Sequence, residues 1–208
     1  MMIHLPYRVF VQARMSSNRL PGKMLAPFRG QPMVKGVLDR LTECIPAQHI
    51  VLLTSDLASD DPLALYVGWL GYAVFRGELD DVLARFQTAS MIYPADWVVR
   101  VSGDSPLFEP RIITDMLPFT EGNYDLITNV FPRSFPKGNS VEIIRTRTLQ
   151  QFDTSNLTES EREHVTQVFY NHADQYAIYN YHSGDDTLAE KVWTVDTLED
   201  YRRLNRED

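Results

Sequence analysis

The chain has 208 residues, of which 44% are hydrophobic and 23% charged, and a formal net charge of −8. That length supports one substantial core, and the acidic balance argues against a general affinity for nucleic acid, which requires a basic surface. No run of about 18 or more apolar residues offers a membrane span, MMIHLPYRV lacks the features of a signal peptide, and the single cysteine, Cys44, permits neither an internal disulfide nor a cysteine-rich metal site; the expectation is a cytoplasmic protein.

Taken in chain order, RVFVQ (8–12) reads as a buried strand. MVKGVLDRLTE (33–43) reads as a helix with Val34, Val37, Leu38 and Leu41 on one side, and IVLLT (50–54) as a second strand. A helix starts near Asp61-Pro62, AVF (73–75) is a short strand, and LDDVLARFQTASMI (79–92) is helical. WVVRVSG (97–103) is a further strand, followed by a helix from Pro110; proline in the first turn marks both helix starts. The second half is less regular. DLITN (125–129) and VEIIRT (141–146) read as strands around the loop FPRSFPKGNS (131–140). A helix is expected over 159–172, a strand at YAIYNYH (176–182), and a closing helix at TLEDYRRL (197–204) after KVWTV. Strands separated by helices of this length form right-handed βαβ units. The expected fold is therefore α/β: a Rossmann-like, open, mostly parallel sheet with helices on both faces, in one domain over 1–208 whose stretch 125–182 is the less regular subregion.

In such sheets ligands bind beyond the carboxyl ends of the strands. The loop after RVFVQ, ARMSSNRLPGK, carries Arg14, Arg19 and Lys23 with Ser16 and Ser17, a set able to converge on phosphate oxygens. It has neither GxGxxG nor the glycine pattern of a P-loop; the alternative is a solvated surface loop. In SGDSP, Asp104 follows a buried strand and is placed to hold a hard divalent cation, or it is an ordinary Asp turn. Asp196 precedes the last helix and is a second metal carboxylate, or else Asp196 or Thr197 is the N-cap of that helix. Glu142, Glu163 and His164 are further polar groups on ordered elements. There is no GxSxG elbow and no HExxH or Cys/His cluster.

VQARMSSNRLPGKML, FRGELDDVLARF, VVRVSGDSPLFEP, FPKGNSVEI, EREHVT and WTVDTLEDYRRL together resemble, in order and spacing, the spore-coat-polysaccharide and acylneuraminate cytidylyltransferases, with the 3-deoxy-manno-octulosonate cytidylyltransferases as cousins. The resemblance covers nearly the whole chain. It implies transfer of CMP from CTP to an acidic keto-sugar of nonulosonate or octulosonate type, with release of pyrophosphate, in surface polysaccharide biosynthesis. It also implies Arg14 and Lys23 on the triphosphate with Arg19 near it, and Gln12, Ala13 and Ser102 by the cytidine. Asp104 and Asp196 would hold Mg²⁺, Ser16 and Glu142 would belong to the substrate site, and the enzyme would be a homodimer. Two positions depart from the family pattern: Ser140 stands where an acid is common, and Gln167 replaces the proline of EHVTP. The sugar carboxylate would look to Arg133, Lys137 or Arg145. Two other readings stay open, another nucleotide-sugar transferase on the same fold (although the strand end reads GDSP instead of DxD) and a non-catalytic CTP-binding relative, for which Ser140 is the hint.

Overall fold

A computed structural model describes residues 4–206. Its strands are β1 (Leu5–Gln12), β2 (Pro27–Phe28), β3 (Gln31–Pro32), β4 (Ile50–Ser55), β5 (Ala73–Gly77), β6 (Ala95–Ser102), β7 (Leu126–Thr128), β8 (Glu142–Arg145) and β9 (Ile178–Asn180). The helices are α1 (Met33–Thr42), α2 (Asp61–Trp69), α3 (Val82–Ile92), α4 (Arg111–Met116), α5 (Thr146–Gln151), α6 (Glu159–Glu163), α7 (Gln167–Asn171) and α8 (Leu198–Leu204). Seven strands form one sheet in the order β5-β4-β1-β6-β8-β7-β9, and β2 and β3 make a separate small hairpin. β8 runs antiparallel to both its neighbours, while the other pairings are parallel. The sheet is thus mostly parallel, as the alternation of strand and helix predicts.

Side chains alternate across each strand, so β1 feeds two cores. Val9 and Val11 pack with Val34, Val37, Leu38 and Leu41 of α1 and with residues of α2, α4 and α8. Phe10 faces the opposite way and packs with Leu83 and Phe86 of α3, Leu149 of α5 and Phe169 of α7. Helices therefore cover both faces, which is why RVFVQ and IVLLT are continuously apolar. From β1 the chain goes to β4 and β5 on one side, then returns through α3 to β6 on the other. The crevice between the carboxyl ends of β1 and β6 is the topological switch point, where an open α/β sheet places its ligand.

Four expected elements differ. The helix over 79–92 begins only at Val82, because the Asp81 carboxylate caps it by accepting from the Ala84 N–H at 2.9 Å. The single helix over 159–172 is two short ones, α6 and α7, broken where Val165 takes φ = 39°. A β-branched residue in the left-handed region is strained, by about 1–3 kcal/mol, and here the side chain is fully buried in the Phe10 core. Apolar periodicity reads through such a break because it reports which face is buried, not backbone handedness. The strand at 176–182 shortens to Ile178–Asn180, and α5 follows β8 directly at Thr146, where only strand was expected.

Candidate active site

The loop after β1 is built by a few local devices. In Leu20-Pro21-Gly22-Lys23 the Lys23 N–H donates to the Leu20 carbonyl at 3.3 Å, with Gly22 at φ = 76°. This is a type II turn, with proline where φ is preset and glycine where φ must be positive. It turns Lys23 inward: the residue is only 6% exposed. The head of the loop is pinned by Asp60, a buried residue not foreseen from sequence. One of its carboxylate oxygens accepts from the Met15 N–H at 2.7 Å, and the other accepts from the Thr54 hydroxyl at 2.9 Å and the Ser55 hydroxyl and N–H at 2.5 and 3.0 Å. Burial pushes this carboxyl upward, but the four donors outweigh it and hold its pKa below the ordinary value.

Lys23 organises the centre. Its Nζ donates to Asp104 Oδ2 at 3.1 Å, to the Val195 carbonyl at 2.7 Å and to Asp196 Oδ1 at 3.4 Å. Two carboxylates that lie 92 residues apart in sequence thus meet on one ammonium. Asp104 is oriented by the Ser102 hydroxyl, which donates to Oδ1 at 2.7 Å, and its carbonyl accepts from the Val195 N–H at 2.8 Å. Asp196 also faces Arg19 at 3.1 Å and Lys137 at 3.6 Å. Of the two residues read as alternative caps of the last helix, Thr197 is the cap and Asp196 is not. Thr197 caps α8 in a reciprocal box with Asp200, which leaves the Asp196 carboxylate to the site.

The turn carrying Asp104 depends on Gly103. A Cβ there would lie 2.9 Å from the Ala13 Cβ and 3.2 Å from the Gln12 carbonyl. Gly103→Ala should therefore push the turn off the end of β1, with a stability loss of about 1–3 kcal/mol. Thermal melting checks this; an unchanged midpoint would show that the turn adapts.

The loop and the strand ends enclose a cavity of about 400 Å³, within the size of small-molecule sites. Arg14, Ser17, Asn18, Arg19 and Lys23 line one side, and Gln12, Ala13, Ser102, Asp104 and Asp196 its floor. Val82 and Arg85 of α3 close it with Glu163 and His164, which the break at Val165 presents toward it. Arg14 lies 3.7 Å from Glu163. Ser16 is not part of this wall, and its hydroxyl is enclosed with no partner among the described residues. Beside the cavity is a second of about 200 Å³, bounded by Arg133, Lys137, Ser140 and Thr194. Ser102, Asp104 and Asp196 border both. Ser140 accepts from Arg133 at 3.1 Å. Arg145 is not brought here; it lies on Trp97, its guanidinium carbon 4.5 Å from the ring centre, and donates to the carbonyls of Tyr124 and Gly122 at 2.6 and 2.9 Å.

Glu142 borders the smaller cavity but is held by protein groups. One oxygen takes Arg100 at 2.5 Å, and the other takes Thr166 and Tyr170, each at 2.6 Å. Arg100 in turn donates through Nε to Gln12 Oε1 at 2.8 Å. With its oxygen fixed, the Gln12 carboxamide is left with its NH₂ as the free end. Glu142 thus touches the cavity floor at second hand, through Arg100.

The two carboxylates fit a divalent cation. An ammonium already sits between them, and two carboxylates leave the remaining positions of an octahedral Mg²⁺ to phosphate and water. Among the described residues no cluster of three or more His, Cys, Asp or Glu forms an all-protein metal cage.

This fold, with its cavity at the β1/β6 switch point, is that of the nucleotide-diphospho-sugar transferases and cytidylyltransferases. The sequence model described as Cytidylyltransferase matches residues 9–205, and the chain belongs to that family. Spore coat polysaccharide biosynthesis protein SpsF of Bacillus subtilis is 30% identical over 203 residues, covering 93% of this chain and 82% of its own. The structure of a cytidylyltransferase from Leptospira borgpetersenii superposes with a TM-score of 0.91 at 31% identity, over 97% of this chain and 86% of that one. A CMP:2-keto-3-deoxy-manno-octonic acid synthetase complexed with CTP shares the fold at a TM-score of 0.74 and 17% identity, over 96% of both chains. No helix among the described residues is long and apolar enough to cross a membrane.

Proposed function

We propose that the protein transfers CMP from CTP to an acidic keto-sugar of nonulosonate or octulosonate type, releasing pyrophosphate, for surface polysaccharide biosynthesis. The observation that carries this reading is the pair Asp104 and Asp196 at the common border of a cation-lined cavity and a second cavity bearing Arg133 and Lys137. A nucleotide in the first and a sugar in the second would bring the α-phosphorus and the attacking hydroxyl together at that border. The sugar oxygen forms its bond to the α-phosphorus, the α–β bridging bond breaks, and the hydroxyl proton leaves to solvent. Positioning and charge neutralisation account for most of such a reaction. Arg14, Arg19 and Lys23 neutralise the charge that collects on the departing pyrophosphate. Mg²⁺, held by Asp104 and Asp196, would supply further neutralisation and lower the pKa of the attacking hydroxyl.

The anionic acceptor is supported by the smaller cavity. Arg100, Arg133 and Lys137 line it; Glu142 pairs with Arg100 and also acts on Arg133, and Ser140, where the family often has an acid, adds no further negative charge there. The CTP bound to the octulosonate synthetase of the same fold supports the nucleotide. One domain, with 125–182 contributing the acceptor wall and a homodimer contact in the cytoplasm, completes the reading; light scattering tests the dimer.

The direct test is pyrophosphate release from CTP and Mg²⁺ over a panel of acidic keto-sugars, with ATP, GTP and UTP in parallel. Release is expected with CTP and one class of acceptor. A protein that binds no CTP would overturn the reading.

A further inference from the structure

At the end of the sheet opposite the active site, a third cavity of about 530 Å³ opens between the start of β6 and the start of α5. Trp97 of β6 faces Arg145 of β8 in the strand register, and the same two strands carry Ser102 and Glu142 at their other ends. From Trp97 to Ser102 the strand runs about 17 Å. Arg145 is fixed in place: Nε donates to the Tyr124 carbonyl at 2.6 Å, Nη2 to the Gly122 carbonyl at 2.9 Å, and the guanidinium lies against the Trp97 ring. Its Nη1 has no partner among the described residues, and no carboxylate among them pairs with it. Asp125, whose carbonyl accepts the Arg145 N–H at 2.9 Å, gives its carboxylate to the Thr148 hydroxyl and the Ala177 N–H, at 2.8 and 3.0 Å. Arg147 is exposed, with neither a hydrogen bond nor an ion pair among the described residues. Between the two arginines, Thr146 is 7% exposed, and its enclosed hydroxyl has no partner among those residues. All three line the cavity. Asp96 also lines it, and its carboxylate pairs with His4 at 3.0 Å. In a chain whose acids outnumber its lysines and arginines by 28 to 20, two guanidiniums left without an acid on either side of an unsatisfied hydroxyl mark a place where negative charge is missing.

We propose that this cavity binds the phosphoryl group of a phosphate monoester, its oxygens taken by Arg145 Nη1, the Arg147 guanidinium and the Thr146 hydroxyl. Guanidinium N–H groups form charge-assisted bonds to phosphoryl oxygens. Arg145 is held by a ring and two carbonyls before any ligand arrives, so binding needs little ordering of it. Arg147 closes from the exposed side. Threonine in a helix divides between two χ1 rotamers, and a turn from one to the other would carry the Thr146 hydroxyl from its enclosed position to the ligand. The cavity is larger than a phosphate needs and falls within the range of small-molecule sites. Pro94 and Trp97 give the remainder an apolar wall suited to the organic part of an ester. The cavity shares no lining residue with either of the other two, so the proposal stands apart from the reading of the active site.

The indole N–H resonances of Trp97 and Trp193 report the two ends of the sheet separately, since Trp193 packs on Gly138 of the smaller cavity. Titration of ribose 5-phosphate and of inorganic phosphate into the ¹⁵N-labelled wild type should shift the Trp97 resonance saturably, with the ester binding more tightly. Arg147→Gln should weaken that response by about 10- to 100-fold, the worth of a hydrogen bond to a charged group. Thr146→Val, which keeps the shape and removes only the hydroxyl, should weaken it by about 3- to 10-fold. In both variants any response of Trp193 should match the wild type. Equal affinity for the ester and for inorganic phosphate would overturn the ester and assign the site to the free ion. A Trp97 response that is absent in the wild type, or that survives unchanged in both variants, would overturn the site.

Discussion

Asp104→Asn should lower pyrophosphate release by at least about a hundredfold, equivalent to about 2.7 kcal/mol of transition-state stabilisation, while leaving the fold intact. Asparagine keeps the shape of the side chain and its acceptor toward Ser102, whose hydroxyl lies 2.7 Å from Oδ1. What it removes is one of the two negative charges that converge on Lys23. With that charge gone, Mn²⁺ affinity measured by spin resonance in the presence of CTP should fall about 10- to 100-fold. Asp196→Asn should act in the same direction. The double variant should be little worse than either alone, because groups acting as a unit are not additive. Full Mg²⁺-dependent turnover in Asp104→Asn would refute the metal assignment.

Glu142→Leu should be the most destabilising single change near the site, at about 3–5 kcal/mol. For a chain of this size that corresponds to a fall in melting temperature of roughly 6–20 °C. Leucine leaves the half-buried Arg100 guanidinium without its carboxylate and strands the hydroxyls of Thr166 and Tyr170. Glu142→Gln, which keeps volume and part of the hydrogen bonding, should cost less and still weaken CTP binding, because Arg100 then holds Gln12 less firmly. Acid provides a second readout. Burial pushes the Glu142 carboxyl upward, but the charge of Arg100 and the hydrogen bonds from Thr166, Tyr170 and Arg100 outweigh it, so its folded-state pKa lies below the ordinary value. A group depressed in this way contributes stability that is present above its unfolded pKa, near 4.3, and lost as pH falls through the folded value. Wild type should therefore lose stability more steeply than Glu142→Gln on acidification below the ordinary carboxylate range. Tyr170, raised first by burial and then by the charge of Glu142, stays protonated throughout and keeps donating. Denaturant titrations of the two proteins between pH 3 and 7 (about the useful range) check the difference; parallel curves would show that Glu142 contributes no net linkage.

The devices that the chain carries locally were legible without the structure. Leu20-Pro21-Gly22-Lys23 states its turn in its residue types, since proline presets φ and glycine admits the positive φ that follows. The apolar runs of β1, β4 and β6 state burial on both faces, hence a parallel sheet with its loops at one end. SGDSP follows β6 and is a strand-end acid for the same reason, whereas the VD before the last helix follows no strand, since Val192 makes only an isolated bridge with Lys137. The residues that resist reading are those whose meaning lies in a partner far along the chain. Arg100 and Glu142 sit in apolar strand contexts and acquire a role only because β6 pairs with β8. Arg85 reads as one more polar position on a helix, four residues after Asp81, and only the structure shows that the Asp81 carboxylate goes to the Ala84 N–H and to Arg162 instead. Val165 hides its left-handed backbone inside a pattern of good helical periodicity.

By itself, then, the sequence determined the α/β architecture, the basic loop and the acid at the end of β6, because periodicity, turn chemistry and short motifs are properties of neighbouring residues. Only the tertiary structure decided that Lys23 joins Asp104 to Asp196, that Thr197 frees Asp196 by capping α8 in its place, and that Glu142 supports Gln12 from behind. It also decided that Arg145 belongs to Trp97 and not to the smaller cavity. Each of these is a choice of partner across the sheet, made where strand order and helix packing bring distant side chains within hydrogen-bond reach, and neighbouring residues carry no record of it.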